Sequence, residues 1–224
     1  MYAPILSTHA HHVPTPQYRH RALPAETEEA YSARLAADLE AKILEIGSER
    51  VMAFAAETIV GAAAGVMTPS KGYFPAISAV LRKYGILLIA DEVMSGAGRC
   101  GEFFAWQAVC EGIKPDIVAV AKGLGAGYMP LAGIIATEEV VDVIKKGGEG
   151  IWNKSHTYQG HPVACAVGVK VVEVMDREGL LSNVRQRGAQ LISELQAAFK
   201  GVESMVDVRG KGLVRDLLAG ADTR

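Results

Sequence analysis

Four seven-residue apolar runs punctuate the middle of this chain: Val51–Glu57, Gly85–Asp91, Asp116–Lys122 and Leu131–Thr137. Helical patterns separate the first three, at Ile77–Tyr84 and Trp106–Cys110. A run such as Ile86-Leu-Leu-Ile-Ala90 is apolar on both faces, so it belongs to a sheet covered on both sides. Strands of that kind alternating with helices predict a mainly parallel sheet between helical layers, a three-layer α/β/α sandwich.

The flanks fit this frame. Residues Met1–Leu23 are rich in His and Pro without a period and read as a loop. Thr27, followed by Glu28 and Glu29, caps a helix whose apolar residues Leu35, Leu39, Ile43 and Ile46 recur at helical spacing until Gly47. Pro162 opens a helix through Met175, closed by Gly179, and Val184, Leu191, Leu195 and Phe199 mark a second one that Gly201 ends. From Val214 onward the residues show no clear pattern.

In parallel α/β sheets, ligands gather at the carboxyl ends of the strands. Two of the runs that close there on a charge end on Asp91 and Lys122. An acid and an amine at one sheet edge can face a single ligand from two directions. Position alone favours a structural ion pair or two unrelated strand ends, because charged residues are common there.

The strings around these residues decide otherwise. They are Asp91-Glu-Val-Met-Ser-Gly-Ala-Gly-Arg-Cys-Gly-Glu-Phe103 and Lys114-Pro-Asp-Ile-Val-Ala-Val-Ala-Lys122-Gly-Leu-Gly-Ala-Gly127. With them come Glu57-Thr-Ile-Val-Gly-Ala-Ala-Ala-Gly-Val66, Ser155-His-Thr157-Tyr-Gln-Gly-His-Pro162 and Val208-Arg-Gly-Lys-Gly-Leu213. Together, in this order, they resemble the class III pyridoxal-phosphate-dependent aminotransferases, the fold-type-I enzymes that include ω-amino-acid and ornithine-type transaminases.

The resemblance implies a partial large domain of a fold-type-I enzyme over residues 1–162, with pyridoxal 5'-phosphate as cofactor. Residues 163–224 would be an interdomain helix and the truncated start of a small C-terminal domain. It implies that Lys122 forms the Schiff base with the cofactor aldehyde. An amine must be neutral to attack, and a cationic ring nearby lowers its basicity. Gly123, Gly125 and Gly127 would let backbone approach the cofactor. Asp91 would pair with the ring nitrogen and favour its protonated, electron-withdrawing form. Val93 shares Asp91's side of an extended chain and would pack on the ring, although plain core packing suits it equally. Thr157 would donate its hydroxyl to the phosphate of a partner subunit's cofactor, implying a homodimer with shared sites. Glu57 resembles the family glutamate that pairs with an arginine or swings to admit substrate, but Thr58 stands where a proline usually follows. His156 reads as loop support. The implied activity is transfer of an amino group from an amine or amino acid to a keto acid.

Rival readings lack support. Ile86–Glu92 imitates the acidic strand of an NTPase, but no Gly-Lys-Ser/Thr loop accompanies it. The Gly123-Leu-Gly-Ala-Gly127 spacing is wrong for a dinucleotide turn. His9, His11 and His12 crowd one loop without the further ligands a metal needs, so no metal is expected. A truncated, non-catalytic fragment that keeps part of the cofactor-binding fold without turnover is the alternative of a different class. The family's phosphate cup, its aromatic residue over the ring and its substrate-binding arginine are not found here, and the residues after Leu213 lack the strand the family would place there.

Composition bounds the rest. A formal net charge of -2 with no long basic run argues against nucleic acid or an anionic membrane as partner. No apolar stretch reaches the roughly 20 residues of a membrane span, and the start lacks a secretory pattern. Three scattered cysteines point to a reducing compartment, and the expected location is the cytoplasm.

Overall fold

The computed structural model describes residues 7–147, 156–202 and 205–219. Part of the loop expected at the start, and Ser155, lie outside the described residues. Within that loop a single helical turn, α1 (Tyr18–Arg21), interrupts the irregular chain.

Helix α2 (Glu28–Ile46) begins where its cap predicts: the Thr27 hydroxyl accepts the Ala30 N–H at 3.2 Å, and Gly47 at φ 95° ends it. Its buried stripe of Tyr31, Leu35, Leu39 and Ile43 packs on α3 (Tyr73–Tyr84) through Phe74, Ile77 and Leu81. Helix α3 starts four residues before the expected Ile77. Pro75 looks like a breaker, but it falls in the first turn, where its missing N–H costs nothing.

The main sheet has the order β1 (Ala53–Glu57), β2 (Leu87–Glu92), β3 (Ile117–Val120), β4 (Gly133–Ala136). The pairs β1–β2 and β2–β3 are parallel, and β3–β4 is antiparallel. Between Val120 and Gly133 the chain makes one 3-10 turn and no α-helix, so it lacks a helical crossover and returns antiparallel. Helices α2 and α3 share a core with Phe54, Ala56 and Leu88 of the sheet. The architecture is a partial α/β/α sandwich with a mixed, mostly parallel sheet.

The short helix α4 (Trp106–Val109) precedes β3, and α5 (Glu138–Lys146), which the apolar pattern did not single out, follows β4. Helix α6 (Pro162–Arg177) opens on Pro162 as expected, and α7 (Leu180–Ala198) follows the left-handed Gly179. The expectation of no strand after Leu213 is overturned. Strand β5 (Met205–Lys211) turns at Gly212, φ 57°, into β6 (Val214–Ala219), its antiparallel partner. The turn glycine was the signal, and β6 lacks a clean alternation because half-buried Val214 packs on Ile59, Cys100 and Ala105 while exposed Leu217 follows polar neighbours. No helix among the described residues is long and apolar enough to cross a membrane.

Candidate active site

Strand alternation sorts β2 into two faces. Leu88, Ala90 and Glu92 are buried, while Leu87, Ile89 and Asp91 are half-buried. Residues in register across neighbouring strands share a face, and the register joins Glu57, Asp91 and Ala119 in one row at the carboxyl edge of the parallel strands. Strand β3 ends at Val120, two residues before Lys122, so Lys122 does not close a strand as expected. It opens the 3-10 turn Lys122–Gly125 and adopts φ 38°, a left-handed conformation uncommon for a side-chain-bearing residue. The turn, not the ladder, therefore sets its orientation.

Asp91 bends the chain back on itself: its Oδ1 accepts the Val93 N–H at 2.9 Å. Among the described residues its Oδ2 takes no hydrogen bond, and no hydrogen bond or ion pair engages the exposed Lys122 amine. An acceptor oxygen near the end of β2 and an amine just past the end of β3 thus have no partner among the described residues. That combination fits a heterocycle offering an N–H on one side and an aldehyde on the other. Val93 is half-buried just after Asp91.

Glu57 lies in the same row but folds back on its own loop, where its Oε2 accepts the Gly61 N–H at 2.8 Å. Thr58, in the place of the usual proline, is buried and shares a hydrogen bond with the Ser95 hydroxyl at 2.9 Å. Thr157 and His156 are exposed in the turn before α6, and no described hydrogen bond ties either side chain to Asp91 or Lys122. Helix α6 does dock on the lysine turn, with Gly168 against Leu131 and Leu124. Gly123 is needed for close approach, but to protein: a Cβ there would stand 2.9 Å from the Ala97 Cβ.

Glu92 escaped the sequence reading. It is fully buried on the face opposite Asp91, where its two oxygens accept the Ala105 and Trp106 N–H groups, both at 2.6 Å. Burial pushes its carboxyl above the usual range, opposed by those two N–H groups. The available signal was alternation, which puts the second acid of Asp91-Glu92 in the core, where it must find donors. Burial likewise pushes the Cys100 thiol up to about 12.

A large cavity lies elsewhere. About 750 Å³ in volume, it lies between the Gly123–Tyr128 turn, α6, α7 and Val214, with aliphatic walls of Val171, Val174, Leu181 and Val184. Neither Asp91 nor Lys122 lines it.

Known proteins resemble this chain in sequence and fold. The family described as Aminotransferase class-III matches residues 3–220. An aminotransferase of Gibberella zeae is 41% identical over 196 residues, covering 88% of this chain and 38% of that protein. The diaminobutyrate–2-oxoglutarate transaminase of Halomonas elongata is 41% identical over 215 residues, 94% of this chain and 45% of its own length. Among solved structures, a thermostable (S)-enantioselective omega-transaminase from Thermomicrobium roseum superposes with a TM-score of 0.85 at 41% identity, covering 94% of this chain and 46% of that one. The chain therefore spans less than half the length of these relatives.

Proposed function

The chain belongs to the class III aminotransferases, and from that membership we propose that it serves transfer of an amino group from an amine or amino acid to a keto acid. Members of this family use pyridoxal 5'-phosphate. Bound at the strand ends, that group supplies an aldehyde carbon for amines and a protonated ring that withdraws electrons from the neighbouring carbon.

The chain's own residues would do the rest. Asp91 Oδ2 holds the proton on the ring nitrogen, and each pKa unit of that bias corresponds to about 1.4 kcal/mol. The Val93 N–H on Oδ1 fixes the carboxylate's orientation, and the Val93 side chain packs against the ring. The Lys122 amine would hold the cofactor and, when free, would take a proton from the substrate carbon as base and give it back as acid. Thr157, exposed ahead of α6, would serve the phosphate of a second subunit's cofactor, and the working form would be a homodimer. Glu57 would meet the substrate only after releasing the Gly61 N–H. The same reading assigns residues 1–162 to the large domain and 163–224 to the interdomain helix and the start of a small one, supported by the separate β5–β6 sheet. It also has the protein act in the cytoplasm.

One observation carries this reading: an acid oxygen and an amine at the carboxyl ends of neighbouring strands, unpartnered among the described residues and inside family-matching strings. Adding pyridoxal phosphate to the purified chain is expected to give a visible absorbance band that Lys122→Ala abolishes. The same band in that variant would remove Lys122 from its role. The short span relative to its relatives favours a second reading, a fragment that folds without turnover. A soluble monomer that takes up no cofactor would establish that one instead.

A further inference from the structure

The buried acid beside Asp91 has partners arranged in a way that leads to the lysine. Glu92 grips both ends of the segment Val93–Phe104. Its main-chain oxygen accepts the Gly96 N–H at 2.9 Å, and its carboxylate oxygens accept the Ala105 and Trp106 N–H groups at the far end. Gly96 leaves no slack, since a Cβ there would stand 3.1 Å from Glu92 Oε2. Within the segment, buried Ser95 bonds to buried Thr58 at the end of β1, and the Cys100 thiol donates to the Ser95 carbonyl at 3.4 Å. Two residues after Ser95, Ala97 holds φ 54° and rests on Gly123, immediately after Lys122, where an added Cβ would lie 2.9 Å from the Ala97 Cβ and 3.6 Å from the Gly96 oxygen.

We propose that Glu92 is a positioning residue: by clamping Val93–Phe104 it presses Gly96–Ala97 against Gly123 and so sets the backbone of Lys122. This rests on the lysine chemistry proposed above. Glu92 touches no reacting atom, being on the opposite face of β2 from Asp91. It acts through contacts on both flanks of the site, Val93 on the acid's side and Gly123 on the lysine's. A left-handed Lys122 is a conformation that its surroundings must impose, and the Ala97 contact on Gly123 adds to the turn bond from the Leu124 N–H to the Ala121 carbonyl.

Glu92→Gln tests this, because an amide sets its NH2 against one of the two backbone N–H groups and keeps a single acceptor. Without cofactor, amide exchange over residues 121–126, where Leu124 and Ala126 donate within the turn, is expected to rise about tenfold, with α2 and α3 unchanged. With pyridoxal phosphate, the pH midpoint of the Lys122-dependent absorbance band is expected to move from its parental value. Unchanged exchange over residues 121–126 in a folded Glu92→Gln chain overturns the inference. A parental chain that gives no band overturns the functional reading, while the exchange result still decides the clamp. If Glu92→Gln does not fold, Ala97→Gly decides, since glycine accepts φ 54° and removes only the methyl facing Gly123. Faster turn exchange in that variant supports the clamp, and parental exchange rejects it.

Discussion

Asp91 and Glu92 differ by one methylene, yet the alternation of β2 gives them opposite surroundings: a half-buried edge for the first and the closed core for the second. Asp91→Asn preserves shape and removes charge, so the ring nitrogen would lose its proton-holding partner. In a chain that turns over, kcat is expected to fall about 100-fold, the rate equivalent of roughly 2.7 kcal/mol, with little change in expression. Comparable turnover would mean that another group serves the ring. A second residue pair tests electrostatics away from the site. The Arg34 guanidinium, bonding Glu26 at 2.8 Å, holds that carboxyl down to about 2 from an ordinary 4.5, with the Leu23 N–H assisting. A depressed carboxyl stabilises the fold above pH 4.5 and loses that effect as pH falls through about 2. The stability gap between the parent and Arg34→Ala should therefore be widest near neutrality and shrink in acid, as denaturant titrations at several pH values would show. Asp91 and Lys122 could be proposed from the sequence because family strings surround them. Glu92 was not, because its donors lie 13 and 14 residues downstream and only the folded loop brings them back.

At the scale of elements, local chemistry was readable wherever the cause was local. Thr27 announced α2, and Thr27→Ala is expected to remove about 1 kcal/mol and lower the melting temperature by roughly 2–4 °C. A calorimetric scan matching the parent would show that the hydroxyl's bond to the Ala30 N–H adds nothing. Pro162 at the head of α6 and Gly47 behind α2 were equally plain. What escaped depended on partners distant in sequence. Strand β6 exists because β5 pairs with it across Gly212 and because Val214 reaches the Ile59–Cys100 cluster. The early end of β3 depends on how far β2 continues beside it and on the tight seat of Gly123 against Ala97, neither visible in an apolar run.

For the whole molecule, the apolar strands foretold a covered, mostly parallel sheet, but not that β4 would run against its neighbour or carry so much apolar surface. Among the described residues β4 is an outer strand, with Ile134 67% and Ile135 48% exposed, and Val143 on the adjoining α5 is 71% exposed. An open strand edge with uncovered isoleucines recruits other chains by backbone pairing and apolar burial. The chain on its own should therefore self-associate beyond any dimer, and increasingly with concentration. Ile134 shares the row of Asp91, so changing it would confuse association with chemistry. Ile135 pairs with Val118 on the other face, away from that row. Ile135→Lys should reduce the mass measured by light scattering at high concentration while leaving the cofactor band intact, because a charge on an edge strand resists pairing without touching the Asp91 row. If scattering is unchanged and the band is preserved, β4 is not the sticky edge, and the exposed aliphatics of α6, Val163 and Val169, become the surface to mutate next.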